Sequence, residues 1–278
     1  MIYQLFNTRN HASTYVQGRL SPPSELIDTI LTYLRSGCKP NENDLWPLAV
    51  DVGSGSGQST FLLKNHFTNI LGVDISEAQI DEASRRNECS NISFKVARAE
   101  TIPVEDESVS LIIAAQCLHW FELPLFYKEV NRILIHGGVF AAFGYTVSPI
   151  TTSNCEKSNA LAAIVEEAYS DLGKMGYWKE PIIKHHRSKY ADLPLPFKDT
   201  LRIGDIKCPV SYSGERFLNY IKSWASFNGL AKDSQEKAHK FVENIIDRMK
   251  KVLATDDVYS AQIDVTFEFF LVMSRKTD

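Results

Sequence analysis

The stretch "VDVGSGSGQST", Val50 to Thr60, decides the fold. Gly53, Gly55 and Gly57 stand at alternate positions directly behind a short apolar run. Glycines spaced this tightly after a strand let the backbone come close to a ligand. A phosphate loop of the G-x-x-x-x-G-K-[ST] kind needs a lysine to reach the phosphates. Counted from Gly53, its second glycine and its lysine fall on Gln58 and Ser59, so that pattern fails. A dinucleotide fingerprint, G-x-G-x-x-G, needs a third glycine for close helix–strand packing, and Gln58 stands there too. What remains is a G-x-G-x-G turn with an acid, Asp51, two residues before it. It suits a ligand approached by bare backbone, or a tight strand-to-helix turn that holds none.

Outward from this turn, apolar runs alternate with helical patterns. "PLAVDV" (47–52), "NILGVD" (69–74), "ISFKVA" (92–97), "VSLIIAA" (109–115) and "VFAAFGY" (139–145) read as strands. Helices are expected over "GQSTFLLKNHF" (57–67), over "SEAQIDEASRRN" (76–87) with Ser76 as N-cap, and around 123–135, where Gly137-Gly138 ends the run. Strands buried on both faces and separated by helices imply parallel order. The fold class expected is α/β, a doubly wound, seven-stranded, mostly parallel sheet with a helical cap insertion. Ligands in such sheets bind at the carboxyl ends of the strands.

Beyond Tyr145 the rhythm changes. Leu161, Ile164, Val165, Ala168, Tyr169 and Leu172 line one face of a helix over 156–175. "ADLPLPFKD" (191–199) is punctuated by proline, and a helix is expected over 214–230. Ser234 caps another helix, and "AQIDVTFEFFLVMSRK" (261–276) returns to the sheet as a strand. Within one domain, residues 1–45 are expected as an N-terminal helical segment, 46–145 as the binding core, 146–230 as the cap, and 231–278 as a closing helix and strands.

The 278 residues are ample for such a core. A formal net charge of −4, with both signs interspersed, disfavours an extended nucleic-acid surface. Cys38, Cys89, Cys117, Cys155 and Cys208 are far apart and form no C-x-x-C pair, so neither a disulfide framework nor a metal site is expected. "MIYQLFNTRN" carries no leader pattern, and no apolar run approaches the ~18 residues of a membrane span. A cytoplasmic protein is the expectation.

A second signal is independent of the glycines. Asp74 ends "LGVD", 21 residues after Gly53, where a carboxylate at the end of a second strand can hold a ribose diol. Ile75 follows and would pack on a purine face. The third signal is "VARAETIPVEDESVSLIIAAQCLHWF" (96–121). With motif "VDVGSGSGQST", these segments resemble the class I S-adenosylmethionine (SAM) dependent methyltransferases. The resemblance implies SAM as cofactor and S-adenosylhomocysteine as product. It implies that Asp51, Gly53, Ser54 and Gly55 receive the methionine end, Asp74 the ribose, and Ile75, Ala99 and Glu100 the adenine. Arg98 stands where many members carry an Asp for the adenine amine, which leaves the backbone of that turn as the contact. Gln116, at the end of the fourth strand, is placed beside the transferable methyl. "RILIHGG" (132–138) resembles the family's turn before the fifth strand, with His136 in place of a proline.

"HWF" with "FYKEVNRIL" behind it, and "ASTYVQGRLSPPSELIDTILTYL" (12–34), are similar to a branch containing trans-aconitate methyltransferases and other small-molecule enzymes. Tyr15 and Arg19 match that branch's entry segment, while Leu20 and Pro22 depart from it. "LPLPF" (193–197) and "YIKSWASFNGL" (220–230), which contains Trp224, resemble its cap. The resemblance implies that Tyr15 and Arg19 fold over SAM, and that Arg19, Trp120 and Trp224 face the substrate.

His119 reads two ways, as a core histidine or as the group that positions or deprotonates the acceptor. Trp120 reads as core or as a pocket wall, and Arg19 as a solvated charge or as a partner for a carboxylate. His185 and His186 lack metal spacing and read as solvated. Methyl transfer from a sulfonium is an in-line displacement with a neutral leaving group, so alignment and desolvation carry most of it. A carboxylate acceptor needs no base; a hydroxyl or amine does. Carboxyl methylation of a small molecule is the expectation. A base-assisted O- or N-methyltransferase, an RNA or protein methyltransferase, and a SAM-fold protein without turnover are the rivals.

Overall fold

The computed structural model describes residues 18–150, 155–178 and 180–277. The chain divides into two compact units. A core unit holds Ser21–Tyr145, His185–Ile206 and Phe269–Asp278, and a second unit holds Met1–Leu20, Thr146–Lys184 and Lys207–Glu268. The expected cap, 146–230, is thus shared between them, and residues 185–206 group with the core.

The sheet has seven strands: β1 (Trp46–Val52), β2 (Phe67–Asp74), β3 (Ile92–Val96), β4 (Val109–Ala115), β5 (Leu134–Ile150), β6 (Asp199–Ser213) and β7 (Gln262–Arg275). Their order is β3-β2-β1-β4-β5-β7-β6, and β1 to β5 pair in parallel. β4 shows why: six of its seven residues are buried, and a strand covered on both faces has no polar side to alternate with. The order reverses between β1 and β4, the switch point where open α/β sheets form their crevice.

The core unit's helices are α1 (Ser24–Gly37), α2 (Glu77–Arg86), α3 (Leu123–Ile133) and α5 (Glu180–Arg187), the last only in part. α2 starts as read: Ser76 accepts the Gln79 N–H. The helix expected over 57–67 is a single 3₁₀ turn, Thr60–Leu63. Gly57 has φ +86°, and Trp46 N–H bonds to His66 O, so the segment after the glycines has to travel back along the whole of β1. Seven strand residues span ~20 Å, whereas ten residues of α-helix advance only ~15 Å. Gly137-Gly138 does not end the run before β5. It lies inside that strand as an irregularity, Gly137 at φ +80° with its N–H on Lys276 O.

In the second unit, α4 (Cys155–Lys174) and α7 (Ala225–Asp233) pack on α8 (Gln235–Leu253), which Ser234 caps. The helix expected over 214–230 is two, α6 (Gly214–Lys222) and α7. It breaks at Ser223 and Trp224, where Arg19 donates to both Ser223 Oγ (2.9 Å) and Ser223 O (3.3 Å). Among the described residues no helix is long and apolar enough to cross a membrane.

Candidate active site

The carboxyl ends of β1 and β2 carry the glycine turn and its acids. Gly53, Gly55 and Gly57 all have positive φ, the region glycine adopts without steric cost. Their surroundings differ. A Cβ on Gly53 would lie 2.8 Å from Cys117 Sγ, and one on Gly57 2.8 Å from Phe61 and 2.9 Å from Phe94. A Cβ on Gly55 would meet only Gln79 Oε1, at 3.8 Å. Two glycines therefore let the protein pack on itself, while Gly55 borders open space.

Asp51 is fully buried. Thr60 Oγ1 donates to its Oδ2 at 2.6 Å, and its Oδ1 has no partner. Burial pushes its pKa up to about 7, with the Asp74 charge adding to the rise and Thr60 opposing it. Asp74 accepts Gly55 N–H on Oδ2 (2.9 Å) and Ser76 N–H on Oδ1 (2.8 Å). Burial raises its pKa as well, against the amides that favour the anion. Beneath the turn Cys117 donates to Val52 O, and burial with two nearby carboxylates keeps it a thiol. Ser54 Oγ, Ser56 Oγ and Gln79 Oε1 are buried and unpartnered, like Asp51 Oδ1. Unsatisfied acceptors and like charges gathered round one turn call for a ligand rich in donors and positive charge.

Ile75 is 36% exposed and Val96, at the end of the neighbouring β3, is 53% exposed. They offer apolar surface beside Asp74. The turn after β3 is held from α3: Glu129 Oε1 accepts Ile102 N–H at 2.6 Å, and Arg132 donates to Ile102 O, Val104 O, Glu129 and Asp106. Ala99 packs in the core, and Glu100 is engaged with Arg98 and the Glu122 N–H, so this turn presents backbone.

Gln116 directly follows β4 in the left-handed region, φ +58°, with its N–H on Phe143 O. Its amide Nε2 donates to Tyr145 O (3.1 Å), which leaves Oε1 to accept from His186 Nε2 (3.2 Å). His119 follows in a 3₁₀ turn, Leu118–Trp120. Its ring lies 5.2 Å from Trp120 and 5.6 Å from His186, and its Nδ1 is 2.8 Å from Tyr190 Oη.

A family model described as a methyltransferase domain matches residues 50–142. A Dictyostelium discoideum protein named as a methyltransferase is 30% identical over 249 residues, covering 90% of this chain and 88% of its own. The chain belongs to the SAM-dependent methyltransferases.

A second relative of this methyltransferase, named as SAM-dependent and found in Saccharomyces cerevisiae, is 22% identical and covers 98% of both chains. The fold is shared with the solved structure of a type II methyltransferase of Anaeromyxobacter dehalogenans, at TM-score 0.71 and 24% identity over 92% of this chain and 97% of that one. The cofactor is SAM and the product S-adenosylhomocysteine. The residues fit it: the orphaned Asp51 Oδ1 is the acceptor an ammonium needs, and the open side of Gly55 is room a Cβ would take.

The methyltransferase brings together Asp51, Gly53, Ser54, Gly55, Asp74 and Ile75 at one end of the core unit, and Gln116, His119 and Trp120 in the segment that follows β4. Arg19 and Trp224 belong to the second unit. There Arg19 stacks on Tyr220 at 5.7 Å besides holding Ser223, and Trp224 is buried against Tyr169 and Tyr220. Tyr15 lies outside the described residues. The reading of His186 as solvated is corrected by its contacts with Gln116, His119 and Phe270. His185 pairs with Asp192 at 2.8 Å. Tyr190 carried no sequence signal at all. Among the described residues no cluster of metal-ligating side chains occurs.

Proposed function

We propose that this methyltransferase transfers the methyl group of SAM to a carboxylate of a small molecule, as the likeness to the trans-aconitate branch implies. The observation that carries the reading is the linked polar group Gln116, His186, His119 and Tyr190 beyond the end of β4. These are hydrogen-bonding side chains oriented by one another, suited to hold an anion in line. SAM supplies an electrophilic methyl on a sulfur that leaves neutral. A carboxylate is already ionised at neutral pH and attacks without losing a proton. The chain then has only to orient it and exclude water.

In this reading Asp51 Oδ1 takes the ammonium of SAM and Asp74 the ribose hydroxyls. Ile75 and Val96 face the adenine. Trp120, beside His119, walls the acceptor. The partner is a small molecule and no nucleic acid, and the enzyme works in the cytoplasm.

The test is incubation with methyl-labelled SAM and a panel of mono-, di- and tricarboxylic acids, followed by alkali. Methyl esters release the label as volatile methanol, whereas methyl ethers and methylamines keep it. Label released by alkali from acid-containing reactions is expected. An alkali-stable product, or transfer only to RNA or protein, overturns the reading.

A further inference from the structure

Tyr190 is fully buried and reaches the site from outside every motif named above. It follows α5 at φ +60°, and its ring stands edge-on to Phe270 at 5.0 Å. Arg202 donates to the backbone oxygens of Tyr190 and Leu193, which fixes this turn from the start of β6. Its hydroxyl lies 2.8 Å from His119 Nδ1.

The protons can be placed by counting. A phenol has one proton to give and lone pairs to receive. Here the hydroxyl is fully buried, and His119 Nδ1 is the acceptor within reach of its proton. If Nδ1 carried a proton instead, it would donate to the phenol oxygen, and the proton of the buried hydroxyl would be left without an acceptor. Burial also holds Tyr190 far above the ordinary range, so it stays a phenol.

We propose that Tyr190 is a positioning residue that locks His119 in the tautomer protonated at Nε2, so that His119 meets the methyl acceptor as a hydrogen-bond donor and not as a base. The tautomer stands on geometry alone; the donor role towards the acceptor rests on the carboxylate reading. Whatever group Nε2 meets must then accept a hydrogen bond, which a carboxylate does from either oxygen. A hydroxyl or amine that had to lose its proton would find none of its base here.

The proposal is tested on the intact protein labelled with ¹⁵N at histidine. His119 is assigned by the signal lost in His119→Gln. The expected spectrum has His119 with a bare Nδ1 and a protonated Nε2. In Tyr190→Phe, the His119 signals move towards a mixture of tautomers. A proton on Nδ1 in the parent, or a Tyr190→Phe spectrum with His119 unchanged, overturns the lock. A second arm needs no spectrum. Glutamine places its amide N–H where Nε2–H was, and asparagine where Nδ1–H would be. His119→Gln should retain activity within about tenfold of the parent, and His119→Asn should fall about another tenfold below it. Rescue by Asn and not by Gln overturns the donor role. The tautomer is read without substrate, so an alkali-stable methyl product would remove the carboxylate reading while the spectrum still decided the Tyr190–His119 pair.

Discussion

Asp74 Oδ2 accepts the backbone N–H of Gly55 at 2.9 Å, from nineteen residues further along the chain. The carboxylate proposed for the ribose therefore also holds the turn proposed for the methionine end. An ionised carboxylate has about four lone-pair positions, so the Gly55 and Ser76 amides leave about two for a diol.

Asp74→Ala should consequently lose twice. Two buried amides lose their acceptor, at roughly 1–3 kcal/mol of stability. SAM binding should weaken by a further 2–4 kcal/mol or so, on the order of two charge-assisted hydrogen bonds. Asp74→Asn keeps an oxygen for one amide and should melt closer to the parent while losing most of the affinity. Thermal melts with calorimetric titration separate the two losses, and parental SAM affinity in Asp74→Ala would rule out the ribose role.

Asp51 gives a pH signature. Its folded pKa stands at about 7, above the ordinary 3.8. Between those values the folded state keeps a proton that the unfolded state has released, so stability of the ligand-free protein falls as pH rises from about 4 to about 7 and then levels. An ammonium beside Oδ1 favours the anion, so SAM binding below pH ~7 should expel a proton. Titrations in buffers of different ionisation enthalpy measure that proton directly. Asp51→Asn should abolish the release, raise the ligand-free melting temperature at pH ~8, and weaken SAM at least tenfold or so.

The three glycines should not respond alike. Gly53→Ala and Gly57→Ala drive a Cβ within 2.8 Å of Cys117 and Phe61 respectively, so both should lower the melting temperature strongly. Gly55→Ala meets nothing closer than 3.8 Å. It should cost only the ~1–2 kcal/mol of a left-handed residue. Gly55→Val should remove SAM binding while circular dichroism stays native. A Gly55→Val protein that still titrates with SAM would contradict the open side assigned to this residue.

Arg132 acts at a distance from the chemistry. It ties Glu129 to the turn at Ile102 and Val104, and burial of Glu129 is outweighed by Arg132 and the Ile102 amide, so the Glu129 pKa lies below the ordinary range. The stability this pair contributes is present at neutral pH and is lost as pH falls through the lowered pKa. Arg132→Lys keeps the charge but loses the fork that spans two carbonyls. The expected outcome is a SAM KM raised about tenfold with kcat little changed. A fall in kcat with KM unchanged would show that the turn does not shape the cofactor site.

Part of this site was legible because the rules that write it are local. The glycines of 53–57 had to be glycine, since each has a positive φ. Ser76 and Ser234 announced helix starts because an N-cap bonds only three residues ahead. Asp51 and Asp74 were legible as acids at strand ends. The failures were local rules overruled from afar. The apolar pattern of 57–67 suits a helix, but the return path along β1 leaves room for one 3₁₀ turn. The pattern over 214–230 is helical throughout, but Arg19 takes the Ser223 carbonyl and the chain breaks there.

The sequence by itself determined the alternation of strands and helices, the glycine turn and the acids around it, because steric limits on φ and hydrogen bonds a few residues apart act before any fold exists. Only the tertiary structure decided which side chains meet beyond β4. His119 and Tyr190 are 71 residues apart, and Gln116 and His186 are 70 apart. No periodicity relates such pairs. They meet because α5 and the turn after it pack on Phe270 of β7, and that packing is set by the whole core unit at once.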